Sequence, residues 1–580
     1  MVLKGVILGI GAVLAGGSLE LNGNQFSLSN NASLLSSLTS IKNTLPSSSA
    51  WLCLNGGTIS APLSDVSKVS VLNVTAQTGT TTLSGDSTLS ANADIMVKPG
   101  ATLTVTGIVT PLGGSATTTV LSGGTLNINP TAALNISSGA ITGSGTINVN
   151  PTASTTTQLG GTLTGFTGTL NTNVSNGTTQ INSPLANNLA VTMNSNILTL
   201  QNSVANTLAI TTNSSATTLN ISGAGTSLSG TIVLRNSLNI GGNTSGYTIS
   251  SNISGAGGLT FTAGNTKTLS GSNTYTGQTI VYSNNDILQV SSLNCISTGT
   301  YNGGVCATAS SNLGTPTTVA NGTIGLGNAA MAGQLVYTGT GETTDRVINL
   351  RASSGAATLT QSGSGLLKFT SNFTATGGGS KTLTLQGSTA GTGEISGAII
   401  DNSGTNKTSV TKNGTGTWTL SGTNSYTGAT TISGGVLSVT GSTNSGSAVA
   451  VNAGTLRGTG TVNGAVTVAN ASTAIIQGGT GSTGTLNLAG GLTFTASTTS
   501  QINVNTNGTN AVSLIHVTGT CAMANNKLNV LGTLNASTAY TVIQCSSTMS
   551  GTLPTLGTNS SGHTVTISQV GNNLVITTGV

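Results

Sequence analysis

The stretch TLSGSNTYTGQTI, residues 268–280, returns as TLSGTNSYTGATT at residues 419–431. Leu269 and Leu420, Tyr275 and Tyr426, and Gly277 and Gly428 occupy equivalent places in the two copies. A motif of small polar residues around one leucine and one tyrosine carries shape, not reactivity. The leucines suit an interior column, the Ser-Gly and Asn positions a tight turn, and the tyrosines the edge of a core beside glycine. Trp418, just upstream of the second copy, reads as core or core rim; a ligand-binding aromatic is the sharper alternative.

Around these copies the commonest local pattern is a five-residue alternation: TLNIN at 125–129, TINVN at 146–150, TLNLA at 485–489, QINVN at 501–505 and KLNVL at 527–531. In the first, Leu126 and Ile128 share one face while Thr125, Asn127 and Asn129 share the other, the period of a half-buried strand. Gly124 and Gly145 open two such segments 21 residues apart. Short strands returning at a period in the low twenties are what one coil of a parallel β-helix requires. The expectation is an all-β chain, a right-handed parallel β-helix rod.

Composition agrees. Of 580 residues, 83 are glycine, only 4% are charged and 3% aromatic, yet 36% are hydrophobic, so the chain has apolar surface to bury. Its polarity comes from Thr, Ser and Asn, which suit exposed β-faces and turns better than helix interiors. The net charge of +5 is scattered, which argues against nucleic acid as a partner. MVLKGVILGIGAVLAGG at the N-terminus reads either as a secretory signal, too short to span a bilayer, or as a buried first strand. NASLLSSLTSIKNTLP, from Asn31 to Pro46, places Leu34, Leu35, Leu38, Ile41 and Leu45 on one face and predicts a short helix capping the open end of the solenoid.

The segment VTKNGTGTWTLSGTNSYTGATTISGGVLSV, residues 410–439, closely resembles the autotransporter-associated β-strand repeat, also called the passenger-associated transport repeat, of secreted bacterial β-helix proteins. The copy within 257–290 is similar, and the tail from Gly454 to Thr520 looks like the passenger stretch that follows such repeats. The resemblance is good over roughly 255–545 and only stylistic before that. It implies a passenger scaffold whose members include adhesins and spacers. The C-terminal translocator barrel of that family has no counterpart before Val580, which points to another export route or to recruitment as a virion or surface-layer component.

Chemistry has few residues to work with. The acids are Glu20, Asp65, Asp86, Asp94, Asp286, Glu342, Asp345, Glu394 and Asp401, with none after Asp401. Polysaccharide cleavage on such a fold needs paired carboxylates or a carboxylate-bound cation. Only Glu342 and Asp345 are close, and Arg346 beside them reads as a turn held by local ion pairs. His516 and His563 lack neighbouring ligands at metal spacing, so no catalytic, cofactor or metal site is expected.

The five cysteines say more about setting. Cys295 and Cys306 bracket ISTGTYNGGV, whose Asn-Gly-Gly predicts a hairpin inserted over 291–311 and closed by a disulfide. Cys521 and Cys545, 24 residues apart, are expected to stack on adjacent coils within disulfide reach, leaving Cys53 over. Two such pairs favour an oxidising, extracellular compartment. The expected organisation is a signal-like segment and helical cap in 1–50, degenerate coils in 51–255, repeat-bearing coils in 256–440 and further coils in 441–580. The function read from this is a non-enzymatic structural or adhesive element of the cell surface, with a virion fibre or a carbohydrate-active enzyme as rivals. Its low charge and a C-terminal edge read as open at Val575, Ile576 and Val580 predict a homo-oligomer or filament, with a glycan or host surface as the other partner.

Overall fold

The computed structural model describes residues 7–8, 17–20, 25–28, 38–43, 49–60, 63–65 and 71–580, apart from 85–93, 107–116, 131–133, 137–138, 152–154, 161, 174–176, 183–184, 186–188, 195–196, 202–205, 216, 223–226, 243–245, 283–286, 297–298, 302–303, 307–308, 496–497 and 508–510. The chain divides into two compact units, Met1–Gly277 and Gln278–Val580. Each is a parallel β-solenoid.

In the first unit a coil is built from three short strands. Thr117–Val120, Thr125–Ile128 and Leu134–Ile136 form one coil, and each pairs in parallel with the next, Thr117 with Ala140, Thr125 with Thr146 and Leu134 with Thr157. Because successive side chains alternate across a strand, constant register stacks like on like. Leu103, Leu126, Ile147 and Leu170 form one buried column. The outward residues form polar columns: Asn127 donates to Thr104 Oγ1 at 3.2 Å, Asn148 to Asn127 Oδ1 at 2.8 Å and Asn171 to Asn148 Oδ1 at 2.8 Å. The sequence separations in this ladder are 23, 21 and 23 residues, the expected length of a coil.

The second unit keeps the parallel stacking but varies its coil length. Thr430 pairs with Val449 and Val449 with Val466, whereas Leu492 pairs with Cys521 and Cys521 with Met549. Glycine makes one of its tight places possible. Gly393 stacks between Leu367 and Trp418, and a Cβ built on it would lie 2.4 Å from the indole, so the missing side chain is the space that fully buried Trp418 fills. The indole N–H donates to the Gln386 carbonyl at 2.9 Å, satisfying the ring's one polar atom.

Two expectations about the ends need correction. Leu38–Asn43, within the segment expected to be a helical cap, is a strand, parallel to Gly17–Glu20 and Leu63–Asp65, with Ile41 fully buried. The 3.6-residue leucine pattern lost to tertiary pairing: a Ser/Thr-rich segment gains little as a helix, and here it finds strand partners on both sides. Residues 31–37 lie outside the described part. Among the described residues the one helix is the single turn Val319–Gly322, capped by Thr318. Ile7–Leu8, inside the signal-like segment, pairs in parallel with Ser27–Leu28.

The second correction concerns the C-terminal edge. Val565–Val570 and Asn573–Thr578 form an antiparallel hairpin whose second strand pairs antiparallel with Ala539–Cys545. Leu574 and Ile576 are fully buried, and Val575 is 8% exposed. The chain therefore occupies that strand edge with its own hairpin, one of the ways natural sheets avoid an open edge.

Candidate functional site

Both copies of the opening motif build the same device. Leu269 and Leu420 are buried in their strands, and Tyr275 and Tyr426 are completely covered rather than lying at a rim. Between them, Asn273 Oδ1 accepts the Ile253 amide at 2.8 Å, and Asn424 Oδ1 accepts the Ile399 amide at 3.0 Å. The motif asparagine thus takes up a backbone donor from the preceding coil that the turn would otherwise leave unsatisfied. A Cβ on Gly277 would sit 2.4 Å from Gly257, and one on Gly428 would sit 2.3 Å from the Thr408 carbonyl, so each copy ends where backbones touch. Tyr426 Oη shares a hydrogen bond with Thr430 at 2.8 Å, and burial pushes its hydroxyl above the usual tyrosine range. In the second copy Asp401 adds a clamp, accepting from the Thr427 amide at 3.0 Å and its hydroxyl at 2.7 Å. The repeat is a coil-to-coil fastener.

The departure from regular coiling lies between 291 and 323. Thr279 pairs directly with Ile324, and Ile287 with Gln334, so the intervening chain leaves the stack and returns to it. Within this excursion Gly299–Tyr301 and Gly304–Cys306 pair antiparallel, while residues 302–303 lie outside the described part. Cys295 at its base is disulfide-bonded. The side chain of Cys306 lies outside the described part.

Glu342, Asp345 and Arg346 hold this excursion. Glu342 accepts the Leu293 amide at 2.8 Å and also the Asn294 amide, and Asp345 accepts the Ile296 amide at 2.7 Å. Arg346, 1% exposed, donates to Asn294 Oδ1 through Nη2 at 2.8 Å and Nε at 3.2 Å, and to the Leu313 carbonyl at 2.7 Å. The expectation of a purely local turn therefore misses their reach, which spans 33 residues to Leu313 and 48 to 52 residues to the Leu293–Ile296 stretch. Burial pushes the Glu342 carboxyl above its usual range, against the two amides and the Arg346 charge that pull it down. The same burial, with Glu342 nearby, pushes Tyr337 up to about 12. A carboxylate already serving two backbone donors is built to hold chain, and the arrangement acts as a clamp.

Other charges are placed likewise. Glu394 pairs with Lys368 at 2.9 Å and accepts from Ser421 Oγ at 2.6 Å. Lys412 is fully buried, donating to the carbonyls of Asn413, Gly414 and Gly434 at 2.7, 3.2 and 3.1 Å. Burial lowers its amine to about 8. The alternation Thr408, Val410, Lys412 places this lysine inward, and the Asn-Gly after it was the available signal that it caps a turn. Asp94 is exposed, while the side chains of Glu20, Asp65, Asp86 and Asp286 lie outside the described part. His516 stacks between Asn487 and Gln544, and among the described residues no three potential ligands gather around a metal position.

Cys521 and Cys545 are joined, with Cα atoms 6.3 Å apart, but not by stacking in one column. Cys521 stacks on Leu492 and Met549, while Cys545 pairs beside Val517 in another sheet. The bond crosses a corner between faces because coils here are longer than the 24-residue spacing. Cys53 is a buried thiol.

A family profile described as Passenger-associated-transport-repeat matches residues 268–283 and 410–439, the two copies of the fastener. Over 181 residues, 30% of this chain, the sequence is 34% identical to the Adhesin BmaC autotransporter of Brucella suis biovar 1 (strain 1330). That match covers 5% of the relative, so the chain spans a small part of its length. The resemblance read from the repeats is borne out: the chain carries the autotransporter passenger repeat on a parallel β-helix.

Proposed function

We propose that the chain is a non-enzymatic adhesive protein of a bacterial surface, working as a passenger-type scaffold that holds binding elements away from the cell. The observation that carries this reading is the likeness to an adhesin autotransporter, together with the two passenger repeats. A cell-surface or secreted location fits the same likeness, and the Cys521–Cys545 disulfide is compatible with it. No helix among the described residues is long and apolar enough to cross a membrane.

Three features of the molecule support a binding scaffold over an enzyme. Glu342, Asp345 and Asp401 spend their carboxylates on backbone amides, and Glu394 on a lysine and a serine. The fasteners are buried and unavailable to a ligand. Polar rows of Thr and Asn present flat hydrogen-bonding faces, and with little charge to repel neighbours these favour lateral packing of copies. A filament joined end to end through Val575 and Ile576 is not part of the proposal, because the terminal hairpin uses both residues.

The test is to couple the purified chain to beads and measure attachment to cultured host cells and to matrix-coated surfaces, with a glycan panel assayed in parallel for cleavage. Attachment above that of albumin-coated beads, with no glycan cleaved, is the expected result. Turnover of a glycan, lost in Glu342→Gln or Asp345→Asn, would overturn the reading.

A further inference from the structure

The outward columns of the first unit are mostly threonine, serine and asparagine, and among its described residues Trp51 is the one exposed aromatic. Ser49–Leu54 buries Ala50, Leu52 and Leu54 completely, and the alternation turns Trp51 and Cys53 to the opposite face, where Cys53 is still buried and Trp51 is not. Trp51 is 39% exposed. Every other described aromatic side chain is buried, except half-buried Tyr282. An indole on the surface of a chain that hides its aromatics elsewhere is not needed for packing.

Register assembles a surface around it. Cys53 stacks on Thr75, and Thr75 on Met96, one column of three consecutive coils. The next column holds Asn55, Gln77 and Lys98, since the Gln77 amide bonds the Leu54 carbonyl at 2.8 Å and the Lys98 amide bonds the Ala76 carbonyl at 3.0 Å. Trp51, Cys53, Thr75, Gln77, Met96 and Lys98 line a groove of about 360 Å³. That volume lies at the lower end of the roughly 300–1,000 Å³ usual for small-molecule sites.

The lining identifies a class of ligand. The Trp51 indole and the Met96 thioether are apolar groups of the lining, suited to the C–H face of a sugar ring. Gln77, half-buried in the lining, offers an amide able to donate and accept. Lys98, half-buried at the far side, is the lining's single charge, and an ammonium there favours a carboxylate. We propose that this groove binds an acidic oligosaccharide, one bearing uronate or sialate, with a ring on Trp51 and its carboxylate at Lys98. The proposal rests on the adhesive reading and names a ligand class for it.

The protein supplies its own reporter. It has two tryptophans, and Trp418 is fully buried, so a ligand-dependent change in emission reports Trp51. The full chain is titrated with trigalacturonate, sialyllactose and, as neutral control, lactose, following tryptophan emission and heat of binding. Saturable binding of at least one acidic probe, with a shifted emission and little response to lactose, is expected. Trp51→Ala should abolish it, Trp51→Phe should retain part, and Lys98→Gln should weaken it roughly tenfold, the loss of one charge-assisted hydrogen bond. Both positions point outward, so unchanged circular dichroism and melting in the variants confirm the fold. Binding that persists in Trp51→Ala, equal binding of lactose, or no saturable binding of either acidic probe would overturn the assignment. Beads carrying the parent chain that attach to cells while neither acidic probe binds that chain would sink this site and leave the adhesive reading standing.

Discussion

The two units solve the same stacking problem with different polar chemistry. In Met1–Gly277 the outward columns are mostly neutral: amides of Asn127, Asn148 and Asn171 in one ladder, and Asn213 on Asn194 in another. The charges there are few: Arg235 donates to Asn213 Oδ1 at 3.3 Å, Lys98 stands in an outward column, and Lys267 is buried inward, donating to the Asn265 carbonyl at 3.3 Å. In Gln278–Val580 the irregular places are fastened by charge: Arg346 and Glu342 at the excursion, Lys368 with Glu394, and Lys412 at a turn. The difference follows from regularity. Where coils keep one length, identical side chains meet and neutral amides suffice. Where the chain leaves the stack, several carbonyls and amides converge on one point, and only a long ionised side chain can serve them together.

The strongest way to break this contrast is at Arg346. Arg346→Met strands Asn294 Oδ1, two carbonyls and the Glu342 charge in a buried place, and should cost about 3–5 kcal/mol in the second unit. Denaturant unfolding with limited proteolysis reads it, and cleavage should concentrate in 291–323. A loss shared equally by the first unit would dissolve the distinction.

A smaller effect is expected from pH. The Lys412 amine, held at about 8 in the folded chain against the ordinary lysine value of 10.5, leaves the unfolded chain binding more protons between those values. Its contribution is therefore unfavourable below pH 8, and stability of the second unit should rise as pH climbs from about 8 toward 10. Lys412→Met should flatten that rise, as measured by melting across the window. A rise of the same size in the variant would place its origin elsewhere.

The smallest effect belongs to the neutral ladder. Asn148→Ala removes a donor to Asn127 and an acceptor for Asn171, but both are half-exposed and water replaces the lost group, so about 0.5–1.5 kcal/mol is expected. Urea unfolding of the first unit measures it. A loss as large as that at Arg346 would show that neutral columns carry as much as charged ones.

Much of this architecture was legible in the sequence because a solenoid repeats its instructions. The Leu126 and Ile128 alternation, the 21-residue return of glycine and the doubled Leu-Ser-Gly motif each state the fold locally. What stayed hidden depended on partners remote in sequence. Nothing near Gly393 says that its missing side chain makes room for Trp418. Nothing around Arg346 says that it reaches Asn294, 52 residues back. Leu38–Asn43 misled for the same reason, since its leucine spacing is a helix signal that neighbouring strands overrode. The terminal hairpin reads as an open edge until Asn573–Thr578 is seen to turn back on Ala539–Cys545.

The most direct test of the account is whether Glu342 works as a holder of chain. Amide hydrogen exchange, followed by mass spectrometry on the parent and Glu342→Gln, isolates that role, because the substitution keeps the shape and removes the charge. Faster exchange at Leu293 and Asn294, with protection in Met1–Gly277 unchanged, is the predicted result. Unchanged protection at those amides, alongside cleavage of a polysaccharide by the parent chain that the substitution abolishes, would contradict it.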